Sequence, residues 1–413
     1  MNIVCSRDIL NEAVTPALYA VSAKNATQAL EGFLISADKE SGILTICGYD
    51  LEKGIKVTLS GENIQIKESG KIIINAAKFS SIVRNLPAGN VSVSSDSNFS
   101  VTISSGRSEF TVHGLDGDTF PLMPELKGEK SFKISRKILK NMITSTYFAV
   151  AVNNSRPSLN GALFEIKNNQ LNIIAVDGNR LALRRSFDGI KSDSDDVLEL
   201  SFIVPGKSLS ELLKLIGDDD EAAEIELTRK HVIISFDNIV YFSRLIESEF
   251  LDYRRSIKID PKTTVLIDTK SFAESIERAA LLTDDKQKTP VKLKFNREEV
   301  NIENKENLGS LEITSNTALG KTFEECDIEI YGEELTIGFN QRYILDALKA
   351  IREDKILLKL ESPTKSLVIL PYNGDNKDKD GKETKEEKID VSKVMDTENS
   401  KFLYLVLPVR MRD

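Results

Sequence analysis

The sequence contains no tryptophan and only two histidines in 413 residues. Histidine is the side chain whose charge changes near neutral pH, so two of them are few for acid–base catalysis. The chain has no GxSxG elbow, no GxxxxGK[ST] phosphate loop, no GxGxxG fingerprint after a strand and no HExxH pair. We therefore expect a protein that is not an enzyme and that needs no cofactor.

Cysteine is also scarce, since Cys5, Cys47 and Cys326 lie far apart without a CxxC pair. This spacing predicts buried thiols and argues against disulfides or a zinc site. The acidic run at 218–221 follows Gly217, which predicts a solvated turn and no metal site. No apolar run reaches the roughly 18 residues of a membrane span, and the first residues lack the apolar core of a signal peptide. We expect a cytoplasmic protein without a membrane partner.

The length and the 40% hydrophobic content are enough for two to four packed domains. Short alternating runs that predict strands recur between amphipathic helices. One polar, lysine-rich and acid-rich stretch, 373–400, predicts a solvated loop between two closing strands; the alternative is a regulatory binding segment. Without it, the chain divides into three units of about 128 residues.

Each unit opens with a strand, a polar break and a helix, and the same order returns halfway through the unit. Ser6, Ser135 and Thr269 stand where a helix cap, or the turn before it, is expected. The openings are 3-IVCSRDILNEAV, 132-FKISRKILKNMI and 265-VLIDTKSFAESI, and the midpoints are 72-IIINAAKFSSIVRNL, 202-FIVPGKSLSELLKLI and 335-LTIGFNQRYILDALKAI. The pattern predicts three similar α+β domains, 1–128, 129–258 and 259–413, each a repeated β-α-β-β-β half-unit.

Positive charge is concentrated on the predicted helices. These six segments hold 13 Lys or Arg against 6 Asp or Glu, which leaves −16 for the remainder of a chain whose net charge is −9. If the helices share one face, that face would attract a polyanion; alternatively, Lys and Arg simply populate solvated helices, because they are good helix formers. The helix segments are 7–20, 78–84, 136–147, 207–216, 270–280 and 341–352.

The stretch 171-LNIIAVDGNRLAL-183 ends its first strand at Asp177-Gly178, a strong signal for a tight turn. Turn chemistry does not require the apolar Leu181 beside Arg180, or the apolar–arginine pairs elsewhere in the chain. This run resembles the corresponding run of the bacterial sliding clamps, the β subunits of DNA polymerase III. Four further segments share the resemblance: 22-SAKNATQAL-30, 249-EFLDYRRSI-257, 337-IGFNQRYILDAL-348 and 405-LVLPVRM-411.

The resemblance implies a homodimer that closes head to tail into a six-domain ring with helices lining the pore. Such a ring encircles double-stranded DNA without reading its sequence and acts as a processivity factor. It would tether the replicative DNA polymerase, the clamp loader and repair proteins, each through a short clamp-binding peptide.

The resemblance also implies a hydrophobic peptide-binding pocket between the second and third domains. Asn179, Leu251 and Ser256 depart from the family's commonest residues, so they put the peptide preference in question. The matching positions are Leu159, Val176, Gly178, Asn179, Arg180, Leu181, Leu251, Arg255, Ser256, Tyr343, Thr364, Ser366, Leu405, Leu407, Pro408, Val409 and Arg410.

Two further sets of residues are expected to meet DNA and the second copy. Lys24, Arg156 and Lys207 match basic positions of the family, and the other DNA candidates rest on helical charge alone. These are Arg84, Arg136, Lys137 and Lys140. The candidates for the dimer interface are Lys78, Phe110, Leu281 and Leu282.

Two other functions stay open at this point. One is a monomeric, repeat-built protein-interaction scaffold that does not touch DNA. The other is a hydrolase or nuclease that uses acidic clusters, for which changing Asp177 would abolish metal-dependent turnover.

Overall fold

The structure is a computed structural model, and it describes residues 1–22, 27–62, 64–124, 127–187, 189–191, 198–283, 290–298, 307–372 and 400–410. The predicted insertion lies outside the described residues except for Ser400. The described chain forms two compact units. Unit 1 comprises Met1–Lys140, Ile190–Asp196 and Lys207–Leu245, and unit 2 comprises Asn141–Gly189, Val197–Gly206 and Ile246–Asp413.

The chain runs through six half-units, each a strand, a helix and three further strands. The first is β1 Asn2–Ser6, α1 Arg7–Leu18, β2 Gly32–Asp38, β3 Ile43–Tyr49 and β4 Lys53–Leu59, followed by β5 Ile64–Glu68. The second is β6 Gly70–Asn75, α2 Ala76–Asn85, β7 Asn90–Ser95, β8 Ser100–Ser105 and β9 Ser108–His113, followed by β10 Leu115–Asp116.

The third and fourth half-units repeat this order. The third is β11 Lys130–Ser135, α3 Arg136–Tyr147, β12 Gly161–Lys167, β13 Gln170–Val176 and β14 Arg180–Ser186, followed by β15 Ile190–Lys191. The fourth is β16 Leu200–Pro205, α4 Gly206–Leu215, β17 Ala222–Leu227, β18 His231–Phe236 and β19 Ile239–Arg244.

A short helix, α5 Tyr253–Ile257, precedes the last two half-units. The fifth is β20 Thr263–Asp268, α6 Thr269–Ala279, β21 Val291–Arg297, β22 Leu308–Thr317 and β23 Gly320–Gly332. The sixth is β24 Leu335–Phe339, α7 Gln341–Lys349, β25 Lys355–Leu360, β26 Leu367–Pro371 and β27 Phe402–Val406. The predicted α+β fold of repeated β-α-β-β-β half-units is confirmed.

Polar caps fix where the helices begin. Ser6, Asn75 and Asn340 each accept a hydrogen bond from a backbone N–H in the first turn, at 3.3, 3.0 and 3.0 Å. At the fifth half-unit the cap is Asp268, whose carboxylate accepts from a backbone N–H at 2.7 Å. Thr269, which the sequence suggested for that role, is the first helical residue.

The two half-units of each repeat exchange their first strands. In the first repeat, β1 pairs with β7 and β6 pairs with β2. In the second, β11 pairs with β17 and β16 pairs with β12. In the third, β20 pairs with β25 and β24 pairs with β21. All of these pairs are antiparallel. Each half-unit therefore completes its neighbour's sheet, so that one half-unit alone would leave a strand edge unpaired.

Unit 1 holds a 5-stranded sheet, β5-β1-β7-β8-β9, and a 10-stranded sheet, β10-β6-β2-β3-β4-β19-β18-β17-β11-β15. The larger sheet is continuous because β4 pairs with β19 along five residue pairs. This pairing joins strands of the first and fourth half-units.

Unit 2 holds one 12-stranded sheet, β16-β12-β13-β14-β27-β26-β25-β20-β23-β22-β21-β24. Here β14 pairs with β27, joining the third and sixth half-units. Every residue of β26 and β27 is buried, so both faces of these strands are covered by other parts of the protein. The core beneath β14 and β27 is aliphatic, with Ile174, Leu183 and Leu403 fully buried in it.

Candidate functional site

An open cavity of about 380 Å³ lies on unit 2, over the strands that join the third and sixth half-units. Its inner wall is aliphatic and its mouth is polar and charged, a combination typical of sites that bind an apolar ligand in one orientation. The lining residues are Val176, Gly178, Arg180, Leu181, Leu251, Arg255, Ser256, Lys258, Ile259, Glu361, Thr364, Lys365, Ser366, Leu405 and Leu407.

Strand register explains why these residues converge. Val176 is paired with Leu181 across β13 and β14, and Leu181 is paired with Leu405 across β14 and β27. The ladder continues one residue beyond β27, because the N–H of Leu407 donates to the carbonyl of Asn179 at 2.8 Å. The inner three side chains are 3 to 8% exposed, whereas Leu407 is 43% exposed. An exposed leucine beside a buried aliphatic wall offers apolar surface to a ligand.

The turn between β13 and β14 is held by the carboxylate of Asp177. One of its oxygens accepts from the N–H groups of Asn179 and Arg180 at 2.9 and 3.1 Å. Gly178 lies in this turn with φ of +95°, a conformation that favours glycine. Asp177 therefore has a structural role, which accounts for it without catalysis.

Arg180 is bound tightly on the inner side of the cavity. Its guanidinium donates to the carboxylates of Asp177 and Asp346 at 2.9 and 2.6 Å and to the carbonyl of Phe148 at 2.6 Å. The ring of Tyr343 stacks on it, 4.7 Å from the ring centre. With Arg180 only 9% exposed, most of its hydrogen-bonding capacity serves this cluster. The resemblance implied that Arg180 belongs to the peptide-binding pocket, and these bonds give it a role in shaping the wall.

The short helix α5 supplies one side of the mouth. It is anchored through Tyr253 and Ile257, which are 3% and 4% exposed, and through the Tyr253 hydroxyl, which donates to Glu165 at 2.8 Å. Burial alone would raise the pKa of Glu165, but hydrogen bonds from Arg254 and Tyr253 outweigh it and lower the pKa below 4.5. With α5 anchored in this way, Arg255 projects into solvent, its side chain 88% exposed.

Six predicted pocket positions do not line the cavity. Leu159 is buried in the core beneath it, and Tyr343 stacks on Arg180. Asn179 uses its carbonyl to accept the hydrogen bond from the N–H of Leu407. Pro408, Val409 and Arg410 continue the chain past Leu407 without lining it. The other predicted pocket residues all line it.

Four lining residues were not predicted, namely Lys258, Ile259, Glu361 and Lys365. The available signal was proximity in sequence, since they follow α5 or lie in the turn between β25 and β26, next to residues that were predicted. The three charged ones lie at the surface without a periodic pattern, and Ile259 is a single apolar residue, so sequence reasoning missed all four.

The cationic candidates for DNA contact differ in their surroundings. Lys24 lies outside the described residues, and Lys140 donates to the carbonyl of Ile216 at 3.1 Å. Arg136 is only 5% exposed and forms ion pairs with the carboxylates of Asp219, Glu221 and Asp237. Arg136 is therefore unsuited to the predicted DNA contact, because its charge is already neutralised. The candidates with exposed side chains are Arg84, Lys137, Arg156 and Lys207.

The same contacts revise the prediction for the acidic run at 218–221. Two of its carboxylates pair with Arg136, so the segment is part of an ion-pair network and more than a solvated turn. Among the described residues no group of three or more His, Cys, Asp or Glu is placed to hold a metal ion. The three cysteine thiols are buried, as predicted.

The candidates for the dimer interface are largely exposed. Phe110, on β9, is 42% exposed, and Leu281 is 79% exposed. Lys78 is exposed on α2, and Leu282 is half-buried beside Leu281. Their exposure leaves these side chains accessible to a second copy of the chain. No helix in the described part of the chain is long and apolar enough to cross a membrane.

The repeated half-units and the apolar cavity define a protein of tandem α+β domains with a docking site on one surface. Family models of the DNA polymerase III beta subunit match nearly the whole chain: the N-terminal domain at residues 1–124, the central domain at 133–252 and the C-terminal domain at 254–384. The chain therefore belongs to the DNA polymerase III beta subunit family, the bacterial sliding clamps, and the predicted family is confirmed.

Known relatives and solved structures agree. The beta sliding clamp of Halalkalibacterium halodurans is 32% identical over 382 residues, which is 91% of this chain and 97% of that protein. The Bacillus subtilis sliding clamp structure is 30% identical, covers 100% of both chains and superposes with a TM-score of 0.86. A Pseudomonas aeruginosa sliding clamp bound to griselimycin is 25% identical, covers 100% of both chains and has a TM-score of 0.84. The predicted role of the chain as a DNA polymerase processivity factor is confirmed at the level of the family.

Proposed function

We propose that two copies of this chain close head to tail into a ring that encircles double-stranded DNA. The ring slides along DNA without reading its sequence and keeps the replicative DNA polymerase on its template. Because topology prevents escape, little direct affinity for DNA is required. The domains of this ring are 1–128, 129–258 and 259–413, and the protein acts in the cytoplasm as a tether without catalysis of its own. Family membership is the observation that carries this proposal.

The charge distribution supports the DNA-facing role of the helices. Phosphate contacts need exposed cations that are not already neutralised by carboxylates. Arg84, Lys137, Arg156 and Lys207 are exposed, and we propose them as contacts together with Lys140 and Lys24. Such contacts position the ring on DNA and carry no sequence information.

The cavity of unit 2 is where partners dock. Its buried aliphatic wall and its exposed Leu407 suit a short peptide with leucine and phenylalanine anchors, supplied by the polymerase, the clamp loader or a repair protein. Arg255 and the polar mouth orient the peptide. The predicted residues Leu159, Asn179, Tyr343, Pro408, Val409 and Arg410 support the wall or flank it.

The mass of the assembly separates this proposal from a monomeric interaction scaffold. Sedimentation equilibrium at micromolar concentration should give twice the 46.0 kDa of one chain. Leu281 is 79% exposed in the single chain, so replacing it by aspartate should not unfold the chain. If a second copy covers this surface, the aspartate charge would be buried in the interface, and the measured mass should fall to that of a monomer. Leu122→Asp, at a leucine that is 96% exposed and is not a candidate for the interface, is the matched control. A wild-type chain that stays monomeric would favour the scaffold.

A further inference from the structure

The mouth of the cavity carries an excess of positive charge. Arg255, Lys258 and Lys365 are exposed at it, and among the lining residues that the structure describes Glu361 is the only carboxylate. This local excess is opposite in sign to the whole chain, whose net charge is −9. Because the mouth is positive while the chain as a whole is negative, a negatively charged partner is attracted to the mouth and repelled elsewhere.

The three cations at the mouth differ in their partners. Arg255 is balanced, because its guanidinium lies 2.9 Å from the carboxylate of Asp252. In the described part of the chain, no carboxylate lies within ion-pair distance of Lys258 or Lys365. These two lysines are therefore the unpaired charges that a ligand meets at the mouth, whereas Arg255 is shared with Asp252.

The uncharged groups at the mouth favour the same kind of ligand. Ser256, Thr364 and Ser366 contribute hydroxyl groups, which can donate hydrogen bonds. Ammonium and hydroxyl donors together suit a carboxylate, which only accepts hydrogen bonds. Among the described lining residues, Glu361 is the only anionic partner that a lysine or arginine of a ligand would find.

We propose that the cavity selects peptides in which aspartate or glutamate flanks the apolar anchors, and that Lys258 and Lys365 recognise these carboxylates. This inference rests on the proposed function, in which the cavity docks partner peptides. The apolar wall supplies most of the affinity, and the two lysines determine which apolar peptides are preferred.

The expected effect is modest, because exposed ion pairs are screened by solvent. Each lysine should change the affinity about threefold, and the two together about tenfold, at low ionic strength. The preference should fade as salt rises, since the screening length shortens from about 10 Å at 0.1 M to about 3 Å at 1 M. The binding that depends on the apolar wall should persist at high salt.

The test uses three fluorescein-labelled peptides with the same leucine and phenylalanine anchors and with aspartate, asparagine or lysine flanks. Fluorescence anisotropy measures their affinity for the full chain. The wild type should bind the aspartate peptide about tenfold more tightly than the lysine peptide at low salt. The variant Lys258→Glu with Lys365→Glu should reverse this order. The control Lys292→Glu with Lys355→Glu changes the net charge equally at exposed positions outside the cavity, and it should keep the wild-type order.

The outcomes separate the inference from the proposed function. If all three peptides bind with equal affinity, or if the Lys258 and Lys365 variant keeps the wild-type order, the inference is wrong while the docking site stands. If no peptide binds, or if Leu407→Ala binds every peptide as tightly as the wild type does, both the docking site and the inference are wrong.

Discussion

Replacing Arg180 by alanine should destabilise unit 2, although this arginine lines the cavity. The change removes donors at 2.9 Å from Asp177, at 2.6 Å from Asp346 and at 2.6 Å from the carbonyl of Phe148. Leaving a buried ion pair without one partner costs about 3 to 5 kcal/mol. The two carboxylate side chains are 15% and 29% exposed, so water recovers part of this cost. We expect a loss of about 2 to 4 kcal/mol in the free energy of unfolding.

Urea denaturation followed by circular dichroism measures this loss from the shift in midpoint. Arg255→Ala is the matched control, because its side chain is 88% exposed and forms a single ion pair. It should cost less than about 1 kcal/mol and should weaken peptide binding instead. If Arg180→Ala costs no more than Arg255→Ala, the cluster around Arg180 does not stabilise the fold as described.

Three further predictions concern separate parts of the protein. Leu407→Ala should weaken peptide binding by about 1 to 2 kcal/mol in a fluorescence anisotropy titration. Its side chain is 43% exposed, so the free energy of unfolding should change little, and loss of folding would contradict this prediction. Glu165→Gln should lower stability at neutral pH. The folded state lowers the pKa of Glu165 from 4.5, so the stability that its ionised form contributes is lost as the pH falls through the lowered pKa. The urea midpoints of variant and wild type should therefore converge below pH 4.5. A difference that stays constant with pH would contradict this prediction. Lys207→Ala should reduce the slope of log affinity for DNA against log salt by about 0.9 if Lys207 contacts a phosphate, and an unchanged slope would remove it from the contacts.

Local patterns were sufficient to predict the repeated elements. Opening and midpoint segments place a polar capping residue before apolar positions at helical spacing, as Ser6 does for α1 and Asn75 for α2. These signals act within a few residues, so they can be read from the sequence alone. The tight turn at Asp177-Gly178 belongs to the same class, because its hydrogen bonds join residues at most three apart.

The tertiary partners of charged residues could not be predicted in this way. Arg136 was expected to face DNA, but it is neutralised by carboxylates 83 to 101 residues further along the chain. The bond from Arg180 to Asp346 spans 166 residues. Sheet pairing brings such groups together. The pairing of β4 with β19 and of β14 with β27 cannot be predicted from the spacing of residues within either strand, because the paired strands are far apart in the sequence. The pocket residues were found only because the chain resembles a family.

Retention on DNA of different topology tests encirclement most directly. The chain is loaded onto a nicked circular DNA by a clamp loader, and the bound fraction is followed by gel filtration before and after one cut that linearises the circle. We predict that the protein stays on the intact circle and runs off the linear molecule, because a ring leaves DNA only over a free end. Equal retention on both forms would contradict the account, since it would show that the protein is held by direct affinity.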